Sequence, residues 1–468
     1  MLTRRSFLQT TAVAGAALTG TQLLTQASAH ASALTRTGDM DGIEHVVLVM
    51  MENRSFDHVL SWLPGAHGRS DLVFEAPDGN FYRNYPLAPD FQGCGYGDPD
   101  HSWEGWLVEF NGGRMDGFLQ RPTPLDLNPG VQAAAANTFP IGFYTEQDLP
   151  VLAALAQNYT TLDRYFCSFA GETFPNRFYQ HAARTDRDHN IQKISTLPTI
   201  WDQLSPVPNT QGIPTGAYFF RDLPFLALWG LKYLPFWHLF APGDVDILGI
   251  PVQTKTFLDT VAAGELPNVS FVDPAFALSD DGTGGDDHPK ADLRLGERFL
   301  ADVYHALADA GYLDNTALII TFDEWGGFYE HVPPPRVADD TDPATVDHTG
   351  NSTTPTKGRL VPDYTQLGFR VPAIVVSNRA RARVVHEGPF DHTSSLKLIE
   401  RTFGLHPLTV RDANARDMRG LLDREIHKPV PPGTIPASSD VPGPSVALAC
   451  SATSVPSVSP PPVPVRGR

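Results

Sequence analysis

The chain of 468 residues carries 53 acidic residues against 35 lysines and arginines, a formal net charge of −18. A field of that sign repels polyanions, and with no local basic patch in the sequence it excludes nucleic acid as a partner. Its 3 cysteines exclude a disulfide scaffold and leave room for one bridge, with Cys167 reading as a small buried apolar residue.

In chain order the first feature is an address. Thr3-Arg4-Arg5-Ser6-Phe7-Leu8 is a twin-arginine pattern, followed by a mildly apolar stretch over 10–24 and small-residue cleavage sites at Ala27-Ser28-Ala29 and Ala31-Ser32-Ala33. Residues 1–33 read as a removable export signal recognised by the twin-arginine machinery, too short and polar to span a bilayer comfortably. The mature protein is expected to be soluble, and secreted or cell-wall associated.

Residues 46–51 form an apolar run that stops abruptly in Glu52, Asn53, Arg54, Asp57 and His58. A buried strand of an open α/β sheet would deliver such a burst to the carboxyl edge, where ligands gather, and these groups suit a metal ion and a phosphate. The alternative is a strand-to-helix loop capped by Asn53 or Ser55. Further on, Asp98, His101 and Glu104, and later Asp286, Asp287 and His288, each set an imidazole among carboxylates that fix its tautomer and raise its pKa. Between them, Thr173 lies two residues before Pro175, at a predicted helix start. There the backbone N–H groups favour an anion, and a metal ion could activate the hydroxyl, which is otherwise either a nucleophile or a cap.

Residues 293–310 and 394–403 read as helices and 317–322 and 371–377 as strands, an alternation that predicts a mostly parallel sheet flanked by helices. The strand ending at Phe322 again terminates in acids, Asp323 and Glu324, with Gly326 and Gly327 permitting a tight backbone path. Glu52, Asn53, Asp323 and Glu324 together offer the oxygen donors that calcium, magnesium or manganese prefer. Residues 339–355 read as a mobile acidic loop, and Asp391-His392-Thr393-Ser394 as a helix start where Thr393 or Ser394 could cap. From 428 to 468 the composition shifts to Pro, Ser, Val and Gly, which predicts a disordered tail behind a domain spanning 40–427.

These blocks, with Asn111-Gly112-Gly113-Arg114-Met115-Asp116-Gly117-Phe118 and Pro175-Asn176-Arg177, resemble in content and order the bacterial phosphoesterases that include phosphatidylcholine-type phospholipase C and a related acid phosphatase. The resemblance implies an alkaline-phosphatase-like fold with long loop insertions, a metal ion held by Glu52, Asn53, Asp323 and Glu324, and Thr173 as a transiently phosphorylated nucleophile. It also implies that His101 and His288 contact the phosphoryl group, with Asn176, Arg177, His331, Asp391 and His392 close by. The expected activity is phospholipase C cleavage of a choline-type phospholipid to diacylglycerol and a phosphorylated head group, with transient contact to a membrane surface. Phosphomonoester hydrolysis is the alternative, and a non-catalytic binding protein a third reading.

Three departures from the family pattern stand out. Glu172 replaces a proline before Thr173, Lys290 follows His-Pro where some relatives carry histidine, and His238 is displaced from its usual block. Trp103, Trp106, Tyr144, Trp325 and Phe328 lie in or near the motifs, where they are either a choline cage or plain core.

Overall fold

The computed structural model describes residues 42–120, 137–242, 255–276, 282–349, 361–451, 454 and 458–464. The export signal expected over 1–33 lies outside them, as does the 350–355 part of the acidic loop. Twelve strands are formed among the described residues: β1 (His45–Met51), β2 (Val73–Glu75), β3 (Phe81–Arg83), β4 (Tyr85–Pro86), β5 (Gly142–Phe143), β6 (Thr160–Leu162), β7 (Gly216–Phe220), β8 (Trp237–Leu239), β9 (Val269–Val272), β10 (Thr316–Phe322), β11 (Ala373–Val376) and β12 (Arg383–Val385). Eight of them build one sheet in the order β12-β6-β11-β10-β1-β9-β7-β8. β1 pairs in parallel with β10 and β9, β7 with β9 and β8, and β12 with β6, so the mostly parallel sheet is as expected. β11 is the exception, running antiparallel to both β10 and β6.

β1 and β10 sit at the centre and are buried along both faces, which is why each reads as a continuous apolar run rather than an alternation. Helices cover the sheet. The helix Leu293–Asp309 starts where Asp292 accepts the Arg294 N–H, and it buries Phe299, Leu300, Val303 and Leu307 on one stripe. From the same helix Glu297 reaches the first turn of the helix Pro150–Asn158, accepting the N–H groups of Val151 at 2.5 Å and Leu152 at 2.9 Å. The helix His392–Phe403 begins two residues before the expected start because Asp391 caps it through the Thr393 N–H at 2.9 Å, in place of Thr393 or Ser394.

Composition alone predicts disorder for 428–468, and the described part of that segment departs from it. Ile435 and Val441 are buried, and Arg298 donates to the carbonyls of Ser438, Val441 and Pro444. Cys450 is bridged to Cys94, while Cys167 is free and buried. Buried apolar side chains, hydrogen bonds from Arg298, Gln92, Tyr96 and His305 to carbonyls of this segment, and one disulfide supply fixed contacts that the proline-rich composition conceals. No helix among the described residues is long and apolar enough to cross a membrane.

Candidate functional site

Strand register assembles the site. Met51 pairs with Phe322 across β1 and β10, so Glu52 and Asn53 leave the sheet beside Asp323 and Glu324 at the carboxyl ends of two adjacent parallel strands. On the other side of β1, β9 ends at Val272 and delivers Asp273 to the same edge. Asn53 adopts φ 58°, a left-handed conformation asparagine tolerates better than most residues. Its N–H donates to Asp323 Oδ1 at 3.0 Å, an oxygen that also accepts the Glu324 N–H at 2.7 Å. Gly326, at φ 65°, donates to Glu324 Oε2 at 2.6 Å and passes so close that a Cβ there would meet the Asn53 carbonyl at 2.1 Å. The Gly-Gly step thus buys the close approach of two strand ends.

Thr173 is the first residue of the helix Thr173–Ala182, and its hydroxyl donates to Asn53 Oδ1 at 3.4 Å. Asn176, one turn on, ties down the preceding loop by accepting from the Phe169 N–H at 2.8 Å and donating to the Gly171 carbonyl at 2.8 Å. Arg177 is wholly buried, with guanidinium nitrogens 3.2 Å from Glu52, 3.2 Å from Asp273 and 3.5 Å from Asp323. Burial acts to lower its pKa, but the carboxylates of Asp273, Glu52 and Asp323 outweigh that and hold it above the ordinary arginine value.

One guanidinium cannot balance the charge here. Glu52, Asp273, Asp323 and Glu324 are four buried carboxylates around Arg177, and Asp323 Oδ2 and Glu324 Oε1 have no hydrogen-bond partner among the described residues. Burial accordingly pushes the Glu324 carboxyl well above the usual range and raises that of Asp273. Carboxylate and amide oxygens with unmet charge fit a hard divalent cation, so Glu52, Asn53, Asp323 and Glu324 have the chemistry to hold one.

Two histidines face this edge. His101 engages the Pro99 carbonyl through Nδ1 at 2.9 Å, which leaves Nε2 4.0 Å from Glu324 Oε1. Burial opposes its charge, yet Glu324, Asp98 and Glu172 push the imidazole up to about 10. His288 engages the Pro289 carbonyl at 2.9 Å, and its ring lies 6.0 Å from that of His101. Asp98, His101 and His288 each bring one ligand atom within 4.8 Å of the others. A phosphoryl group at this edge would meet an imidazolium on one side and the oxygen cluster on the other.

The remaining expectations divide. His392 is buried behind Asp323, its Nε2 2.7 Å from the Asp323 carbonyl, and burial lowers it to about 4, so it acts as a neutral prop for that backbone. Asp391 is held by Arg411 at 2.6 Å and caps its helix, a structural task. His331 does not join the site: it pairs with Asp57 at 2.5 Å in a separate cluster with Glu330 and Arg370. Ser55, not Asn53, caps the short helix Phe56–Leu60. His238 sits in β8, bonded to the Lys255 carbonyl at 3.0 Å. Of the two readings of the motif aromatics, core or choline cage, the structure is in line with core, since all five are buried. Trp325 donates to Glu109, Tyr144 to the Asp90 carbonyl, and Phe328 stacks on His58. Asp273 was not singled out in the sequence, although it follows an apolar strand just as Asp323 does.

The Phosphoesterase family profile matches residues 43–221 and 234–406. The chain is 32% identical over 419 residues to Phospholipase C B of Mycobacterium tuberculosis, covering 81% of this chain and 78% of that protein. It is 32% identical to Non-specific phospholipase C1 of Arabidopsis thaliana, covering 79% and 69%, and 29% identical to Non-hemolytic phospholipase C of Pseudomonas aeruginosa, covering 86% and 60%. Among solved structures, a protein in the alkaline phosphatase superfamily from Vibrio parahaemolyticus aligns over 93% of this chain and 81% of its own, at 11% identity and a TM-score of 0.34.

Proposed function

Because the chain belongs to the Phosphoesterase family and is a phosphoric ester hydrolase, we propose that it is a phospholipase C that works through a phosphothreonine at Thr173. The observation that carries this reading is the Thr173 hydroxyl on Asn53 Oδ1 at a helix N-terminus, beside four buried carboxylates short of positive charge. A divalent cation bound by Glu52, Asn53, Asp323 and Glu324, with calcium, magnesium or manganese suited to the oxygens, would lower the threonine pKa and neutralise phosphoryl charge. Thr173 Oγ1 bonds to phosphorus as the bond to the diacylglycerol oxygen breaks, the threonine proton going to solvent. His101, held as an imidazolium by Glu324 and Asp98, gives its Nε2 proton to the departing alkoxide. Neutral His101 then takes a proton from the water that attacks the phosphothreonine, the bond from phosphorus to Thr173 Oγ1 breaks, and the threonine oxygen regains a proton from solvent as the phosphorylated head group is released. His288 steadies the nonbridging oxygens. The twin-arginine pattern supports export to a secreted or cell-wall location, where the substrate would be met at a membrane surface.

The test presents purified protein with a chromogenic phosphocholine diester and a chromogenic phosphate monoester, with and without chelator, beside Thr173→Ala. Diester preference, loss with chelator, and a fall in kcat on the order of 10⁴-fold or more in Thr173→Ala are expected. Preference for the monoester would make the protein a phosphatase. An unaffected Thr173→Ala would end the nucleophile assignment.

A further inference from the structure

Glu172 belongs to neither the oxygen cluster nor the phosphoryl contacts, yet it immediately precedes Thr173. As N-cap of the helix Thr173–Ala182 it makes no side-chain bond to the helix it opens. Its carboxylate instead accepts the Asn190 N–H at 2.6 Å, and Asn190 caps the helix from outside, its Oδ1 accepting the Phe174 N–H at 2.7 Å. Two hydrogen bonds therefore close a bridge over Thr173 through a residue 18 positions beyond Glu172. Asn176 holds the same segment from within the helix, donating to the Glu172 carbonyl at 3.1 Å.

The bridge continues beyond Asn190. His189 engages Asp188 at 2.7 Å through Nδ1, and its Nε2 lies 3.3 Å from Glu104 Oε2. Glu104 stands on the helix Trp103–Phe110, which begins two residues after His101. The 188–190 turn is thus fastened to the Thr173 helix on one side and to the His101 segment on the other. A first helical turn has N–H groups without intrahelical partners and frays unless something outside accepts them.

We propose that Glu172 and Asn190 form a clip that fixes the first turn of this helix, so that the Thr173 hydroxyl stays on Asn53 and in register with the His101 segment. Glu172 is then a positioning residue, and the inference rests on Thr173 being the nucleophile. Removing either link should cost turnover rather than binding, because a misplaced nucleophile still leaves the substrate contacts intact.

The experiment measures kcat and KM on the chromogenic phosphocholine diester for metal-loaded Glu172→Ala, Asn190→Ala, the double variant and Glu172→Gln, with melting temperatures and amide exchange at Phe174. Each alanine variant is expected to lose about ten-fold in kcat at unchanged KM, with the double variant no slower than the singles, since both cut one bridge. Glu172→Gln, whose amide oxygen can still accept from Asn190, should recover most of the loss. Multiplying effects in the double variant, parent-like kcat in the singles, or Phe174 exchange as fast in Glu172→Gln as in Glu172→Ala would overturn the clip, the exchange reading being independent of the charge that Glu172 also lends to His101. Thr173→Ala keeps the two readings apart. If it stays active, the nucleophile assignment fails, and faster Phe174 exchange in Glu172→Ala and Asn190→Ala still reports the clip. Unchanged exchange rejects it.

Discussion

Replacing Arg177 by methionine tests the electrostatic account of the site directly. The guanidinium is fully buried, contacts Glu52, Asp273 and Asp323 within 3.5 Å, and donates to the Met50 carbonyl at 3.2 Å. Methionine fills similar space but leaves the carboxylates facing one another without a counter-charge, and losing one partner of a buried ion pair costs about 3–5 kcal/mol. The cost depends on pH with a definite sign. Asp273 is already raised by burial and is lowered back by Arg177, so without the arginine it rises further and binds a proton that the unfolded chain would release. A group whose folded pKa lies above its unfolded value stabilises at low pH and loses that contribution as pH rises through the folded value. The deficit of the variant should therefore be small near pH 5 and grow toward pH 8. Urea denaturation of metal-free protein at both pH values reads this out, and repeating it with divalent cation should shrink the deficit, because the cation supplies missing charge. A variant as stable as the parent at pH 8 without metal would refute the reasoning.

Other consequences can be checked separately. Glu52→Gln should lower bound metal in elemental analysis, whereas Asp391→Asn should leave metal content intact and lower stability by about 1–3 kcal/mol through its lost Arg411 pairing and weakened cap. Gly326→Ala places a Cβ against the Asn53 carbonyl in a left-handed conformation, so both metal content and melting temperature should fall, with about 1–3 kcal/mol lost. Glu297, pushed by burial to about 7, favours its protonated form in the fold, which makes its contribution present at acid pH and lost as pH rises through 7. Glu297→Gln should accordingly gain on the parent by up to about 3 kcal/mol between pH 5 and pH 8 in urea titrations.

The two central strands were legible because burial on both faces leaves an uninterrupted apolar run, and their sudden polar endings marked Glu52, Asn53, Asp323 and Glu324. Their adjacency was not, since β pairing across some 270 residues leaves no local trace. Asp273 escaped notice because β9 is only four residues long and carries a buried serine, so its apolar signal is weak. The direction of β11 was equally invisible, as an apolar strand reads the same either way. His331 was expected near the site only through the family resemblance, and its pairing with Asp57 and Glu330 beside Arg370 comes from contacts between distant segments that leave no local trace in the sequence. The buried aromatics illustrate an ambiguity: a cage and a core use the same side chains, and only their packing tells them apart.

The Cys94–Cys450 bridge spans 356 residues, and its first cysteine stands four residues before Asp98. Most of the molecule is therefore enclosed in one covalent ring that cannot be closed until nearly the whole chain has been synthesised. A protease that nicks any loop inside the ring leaves both pieces joined as a single molecule, which a reducing gel would resolve and a non-reducing gel would not. Cleavage beyond Cys450 would leave the ring closed and shed the released piece, whereas a cut just before Cys450 opens the ring yet leaves the C-terminal piece tethered to Cys94 until the disulfide is reduced.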